Sequence, residues 1–157
     1  MRLAVAATLA VLTLAACGES ESPSHAEVHN EGTPAAAVLE RTPSPAGAKV
    51  WLIEPVDGAV LKNPITVKFG TEGMLVAPAG SEEANSGHHH LLIDTELEDY
   101  NAPVPADDTH RHFGKAQTEA TIELAPGQHK LQAIFADKNH IPHEPPVQSE
   151  VVTITVE

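Results

Sequence analysis

Apolar and polar residues begin to alternate near Lys49 and continue to do so to the end of the chain. Ile65, Val67 and Phe69 alternate with Thr66, Lys68 and Gly70. Ala120, Ile122 and Leu124 alternate with Thr121 and Glu123, and Leu131, Ala133 and Phe135 with Lys130, Gln132 and Ile134. Val152, Ile154 and Val156 repeat the pattern with Thr153 and Thr155 between them. A period of two puts the apolar set on one face of an extended chain, so each run predicts a half-buried strand. Turn signals separate the runs: Pro55-Val56-Asp57-Gly58, Lys62-Asn63-Pro64 and Ala125-Pro126-Gly127. The run Val50-Trp51-Leu52-Ile53-Glu54 fits an edge strand that enters the domain. Many short strands without a convincing helical period predict an all-β domain over residues 48–157, an immunoglobulin-like antiparallel β-sandwich.

One stretch breaks this rhythm. Between Asp94 and Glu119 lie 24 residues, mostly polar, with Pro103 and Pro105. So long a loop within a small domain is usually functional or disordered. This one carries His110-Arg111-His112, which points to function.

The chain before Lys49 follows other rules. Arg2 precedes an apolar run, Leu3 to Leu14, that is too short to cross a bilayer as a helix and suits a signal peptide. Leu14-Ala15-Ala16-Cys17 matches the bacterial lipobox. Cleavage after residue 16 would leave Cys17 to carry a diacylglycerol and an N-terminal acyl chain. More than one chain makes such an anchor stable, since each buried methylene contributes roughly 0.8 kcal/mol. Residues 17–47, rich in Ser, Pro, Ala, Glu and Gly, read as a disordered acidic linker in which His25 and His29 are solvated. The expected location is the cell envelope, on the periplasmic side of an outer membrane or the extracytoplasmic face of the cell membrane. Gly18, after the cysteine, leans towards the outer membrane.

Charge narrows the range of partners. Asp and Glu number 22 against 9 Lys and Arg, for a net charge of −13, which becomes −14 once Arg2 leaves with the signal segment. Such a surface repels nucleic acid and attracts cations, so a nucleic-acid role is excluded. The partners expected are the membrane through its lipid anchor, a metal ion, and a protein of the envelope. Cys17 is the single cysteine, so there is no internal disulfide.

Eight of the ten histidines fall in the predicted domain, and they come in groups. In His88-His89-His90-Leu91-Leu92-Ile93-Asp94, strand parity sets His89 with Leu91 and Ile93 on the core face. His88 and His90 then project together from the opposite face. His110 and His112 repeat this spacing, and His140-Ile141-Pro142-His143 adds two more after a strand that ends near Asp137. Loops and strand ends cluster at the poles of a sandwich, where these groups could meet. The candidate metal ligands are therefore His88, His90, His110, His112, His140 and His143. Asp94, Glu119 and Asp137 are candidate further ligands or hydrogen-bond partners that orient an imidazole through its second nitrogen. His129, after Pro126-Gly127, reads as a turn cap, and Met74 as core.

Several of these blocks also resemble a known bacterial family. Asn85 to Asp94, His112 to Glu119, Pro126 to Gln132 and Asp137 to His143 are similar to signature blocks of domain of unknown function 4399. Phe69-Gly70…Gly73-Met74…Val76-Ala77-Pro78-Ala79-Gly80 belongs to the same pattern. The resemblance spans about residues 49–157, and Ala116 replaces a glycine usual before the glutamine. It implies a shared architecture and gives weight to the histidine blocks, but it names no reaction.

Imidazole and carboxylate donors without thiolate suit copper(II), zinc or nickel; the affinity order favours copper, and the ions expected are copper first and zinc second. No cysteine ligand is available for a blue-copper centre. The function expected is metal binding by a membrane-anchored lipoprotein, with no catalytic residues assigned. One alternative is a structural or interaction module whose histidines form a hydrogen-bonded cluster. The other is a metal-dependent enzyme, which would need a vacant coordination position beside Glu119 or Asp94; no Gly-x-Ser-x-Gly elbow or His-Glu-x-x-His helix is present.

Overall fold

The structure is a computed structural model that describes residues 40–157; the expected signal segment, Cys17, His25 and His29 lie outside the described residues. Ten strands follow in chain order: β1 (Lys49–Glu54), β2 (Val60–Leu61), β3 (Ile65–Glu72), β4 (Leu75–Val76), β5 (Ser86–Ile93), β6 (His110–Phe113), β7 (Glu119–Ile122), β8 (Gly127–Ala136), β9 (Pro142–Gln148) and β10 (Val152–Val156). They form two sheets. One is β1-β3-β7, with β1 at an edge as its sequence suggests. The other runs β2-β10-β8-β5-β4, with β6 also paired to β5 and β9 also paired to β8.

The all-β prediction holds, with two differences. The short pairs β2–β10 and β4–β5 are parallel, so the larger sheet is mixed rather than wholly antiparallel. In the stretch expected to be one long loop, His110–Phe113 is a strand bonded antiparallel to β5, and His112 lies opposite His90. The folded chain also begins before the expected boundary at Ala48. Ser44 donates its amide to the Glu144 carbonyl at 2.9 Å, and Glu144 donates to Thr42 at 3.0 Å. Arg41 pairs with the Glu144 carboxylate and donates to the Pro142 and His143 carbonyls. Residues 41–44 are thus a strap along β9 rather than free linker.

The principal core lies where the inward faces of the two sheets meet. Val50, Leu52, Ile65, Val67, Phe69 and Ile122 come from the smaller sheet; Leu91, Ile93, Phe113, Leu131, Ala133, Phe135, Ile154 and Val156 come from the larger. Phe135 has no exposed surface, and truncating it to alanine would cost about 3–5 kcal/mol. A second buried layer covers the other face of β5 and β8. Leu92, Ile134, Ala136, Val104 and Ile141 are buried there but stand apart from the principal cluster. Consequently every residue of β5 is buried, on both faces.

Candidate metal centre

The register of β5, β6 and β8 sets the site. His90 lies opposite His112 on one side and Ile134 on the other, while His88 lies opposite Ala136. Residues directly opposite in an antiparallel ladder share a face, so His88, His90 and His112 project together into the second layer. The turn after β8 brings a fourth histidine over them. Ring centroids of His140 stand 4.9 Å from His88, 4.8 Å from His112 and 5.9 Å from His90. The other three pairs are separated by 4.9 to 5.0 Å.

Nitrogen positions single out a smaller group. One ligand atom from each of His88, His90 and His112 lies within 4.8 Å of the others. His140 is outside that set with its ring as it stands. The two Nε2 atoms of His88 and His90 are 3.1 Å apart, so one donates a proton and the other accepts it. Their Nδ1 atoms are buried without a partner. The histidine that donates through Nε2 therefore keeps a bare Nδ1 lone pair in the interior. A cluster held together for packing alone would satisfy such atoms, because each one left unpaired costs about 1–3 kcal/mol.

Electrostatics keep these donors neutral. Burial is the main cause that lowers His88 to about 4, with the His140 and His112 imidazoles adding to it and Asp137 opposing. Burial, then His88, His112 and His140, push His90 down to about 2. His112, the exposed member, is lowered more modestly by burial and by His140. Neutral imidazole is the ligating form, so no proton has to leave at pH 7.

Local sequence explains the placement. Gly114 allows the His112 ring to lie over it: a Cβ there would come within 2.4 Å of that ring. Asp137 builds the turn that carries His140. Its Oδ1 accepts the Asn139 and Ile141 amides at 2.8 and 3.0 Å, its carbonyl accepts the His140 amide at 2.9 Å, and its Oδ2 accepts the Thr42 hydroxyl at 2.6 Å. His140 takes φ of 67°, a left-handed conformation uncommon for a side chain of this size. Asp137 thus orients an imidazole through the backbone rather than through a ring nitrogen, as its expected role had it.

The remaining expected residues are elsewhere. His110 shares the face but sits one rung away, opposite Leu92, with Nδ1 held by Asp107 at 2.9 Å. His143 stacks on Phe135 and donates from Nδ1 to the Thr42 carbonyl, 3.2 Å away, while its Nε2 is buried without a partner. Phe135 is a core-face residue, so His143 belongs to the opposite side of the sheet from His88 and His90. Asp94 bonds His129 Nδ1 at 2.6 Å and the Lys130 amide at 2.7 Å, and His129 Nε2 donates to the Ala125 carbonyl at 2.8 Å. That makes His129 a turn cap with both nitrogens donating, and the Asp94 carboxylate raises its pKa. Glu119 is exposed at the free edge of the smaller sheet, opposite Lys68. His89 is a core histidine, stacked on Phe69 at 4.5 Å, with Nδ1 donating to the Gln117 carbonyl and Nε2 accepting from Thr71. Met74 packs against the core.

The stretch Val67–Glu157, which includes the eight histidines from His88 to His143, matches the family described as domain of unknown function (DUF4399). The chain belongs to the DUF4399 family. The matched stretch begins inside β3, later than the resemblance in the sequence suggested, and the DUF4399 match therefore spans β5, β6 and the His140 turn together. No curated protein and no solved structure matches the chain. Ala116, at which the resemblance leads one to expect a glycine, has φ of 57°, the conformation that glycine adopts most readily.

Proposed function

We propose that this DUF4399 protein binds a first-row transition-metal ion, copper or zinc, through His88, His90 and His112, as an extracytoplasmic lipoprotein anchored by Cys17. The observation that carries the metal reading is the convergence of three neutral imidazoles, two of them fully buried and each with an unpartnered nitrogen. Metal–nitrogen bonds of ~2.0–2.1 Å would draw the nitrogens closer than 4.8 Å, a shift that ring rotation supplies. The donor set is nitrogen only, which suits copper and zinc and not calcium or magnesium. Binding, rather than catalysis, is favoured because, among the described residues, the group that could hold the ion contains histidines only. Asp137, in the turn that carries His140, already accepts three hydrogen bonds through its two oxygens.

The lipobox Leu14-Ala15-Ala16-Cys17 supports the anchor, and the acidic stretch after it supports a tether. A site held near a membrane suits capture or delivery of an ion to an envelope partner. The two-sheet frame is read as immunoglobulin-like on its strand number and its edge strand β1. Titration of the untagged full chain with copper(II) and zinc(II), beside a His88→Ala/His90→Ala double variant, tests the metal reading. One ion per chain, lost in the variant, is expected; equal and weak binding by both proteins would overturn it.

A further inference from the structure

Three donors leave a four-coordinate ion one position short, and the fourth histidine stands over that position. We propose that His140 is the fourth ligand, so that the site closes as a tetrahedral four-imidazole centre for zinc(II). This rests on the metal reading above and gives it an ion, a coordination number and a moving part.

Ring spacing makes the case. With metal–nitrogen bonds of ~2.0–2.1 Å, each imidazole centre lies about 3.2 Å from the ion, and tetrahedral ligation separates the centres by about 5.2 Å. A square arrangement would instead need four separations of about 4.5 Å and two diagonals of about 6.4 Å by the same bond length. Five of the six observed separations fall between 4.8 and 5.0 Å, and the sixth, His90 to His140, is 5.9 Å. Four points with nearly equal separations are the corners of a tetrahedron. The one stretched edge ends on His140, whose nitrogens also fall outside the ligand-atom set. Thus the remaining adjustment belongs to a single ring.

That ring is free to make it. His88 and His90 are fully buried on β5, whereas His140 is partly exposed at a turn. Asp137 and Thr42 fix the turn's backbone, so rotation about the side-chain bonds is the movement that remains. A tetrahedral set suits zinc(II), which has no d-electron preference, better than copper(II), which prefers tetragonal ligation. Four neutral ligands leave the ion's charge uncompensated, and the buried Asp137 carboxylate lies close enough to act on His88. Four protein ligands leave no open position for water, which is the pattern of holding sites rather than hydrolytic ones.

The test loads the untagged full chain with cobalt(II), a spectroscopic stand-in for zinc(II), and repeats the loading with His140→Asn. Asparagine tolerates the left-handed backbone at this position, so the turn survives while the imidazole is lost. Wild type is expected to show the intense visible absorption of four-coordinate cobalt. In His140→Asn that absorption should weaken, and zinc(II) affinity should fall by more than the ~10–100-fold typical of changing a group behind the ligands. Unchanged spectrum and affinity in the variant would overturn His140 as a ligand while leaving the three-histidine reading in place. A weak, six-coordinate spectrum in wild type would overturn the closed site, and no uptake of either ion by wild type would overturn the metal reading itself.

Discussion

His88 and His89 are neighbours in the chain, yet their rings serve opposite faces of one sheet. His89 is stacked and hydrogen-bonded at both nitrogens; His88 meets three other imidazoles and keeps a nitrogen unpaired. Both are lowered to about 4, chiefly by burial. The unfolded chain binds protons near pH 6.5 while the folded chain does not until about pH 4. Stability of the metal-free protein should therefore be level above neutrality and fall as pH drops from 6.5 towards 4, by on the order of 3 kcal/mol for His89 alone. Chemical denaturation at pH 7.5 and pH 5 checks this; a stability that rises on acidification would contradict it. Two small residues give further tests. Ala116→Gly relieves a left-handed alanine and should stabilise the fold by about 1 kcal/mol, read as a higher melting temperature. Gly114→Ala would drive a methyl into the His112 ring and should weaken metal binding while the core, on the opposite face, remains intact.

At the scale of elements, strand parity was legible wherever one face met the core and the other met water. The runs at β1, β3, β7 and β10 alternate in burial as their residues alternate in polarity, and β8 does so from Lys130 to Ala133 before its far end is buried on both faces. On β5, which is buried on both faces, parity still separated His89 from His88 and His90 because alternate side chains take opposite faces. His110-Arg111-His112-Phe113 offers one apolar residue and no strand signal of its own, and the strand character of β6 comes from pairing with β5. β9 carries Pro142, Pro145 and Pro146, which argue against a strand from sequence, yet an edge position tolerates them. The convergence of His140 could not be read from spacing, since it depends on a turn closed by Asp137 and on a left-handed residue. For the same reason His143, three residues on, lands on the other face. Asp137→Asn removes the charge that gathers the turn. It should lower zinc(II) affinity by about 10–100-fold with the sheet unaltered, measured by competition with a chromophoric chelator.

Across the whole molecule, one sheet serves two purposes. Its inner face closes the principal core with the smaller sheet, and its outer face, capped by a second layer, encloses the histidines. The strap at residues 41–44 ties the start of the folded unit to the same region, through Thr42 on Asp137 and Arg41 on Glu144. Under the proposed anchoring, the chain leaving the membrane would enter the fold beside the ion. The acidic surface draws cations towards it. Cys17→Ser should release the protein from membranes into the soluble envelope fraction without altering metal binding, and fractionation of cells that express each form checks this.

The central claim is that an ion sits among the histidines of β5 and β6. Anomalous diffraction from crystals of the zinc-loaded protein, collected on either side of the zinc edge, tests it directly. The account predicts one strong peak per chain, within bonding distance of His88, His90 and His112. A peak only at other residues, or none at full zinc loading, would contradict it.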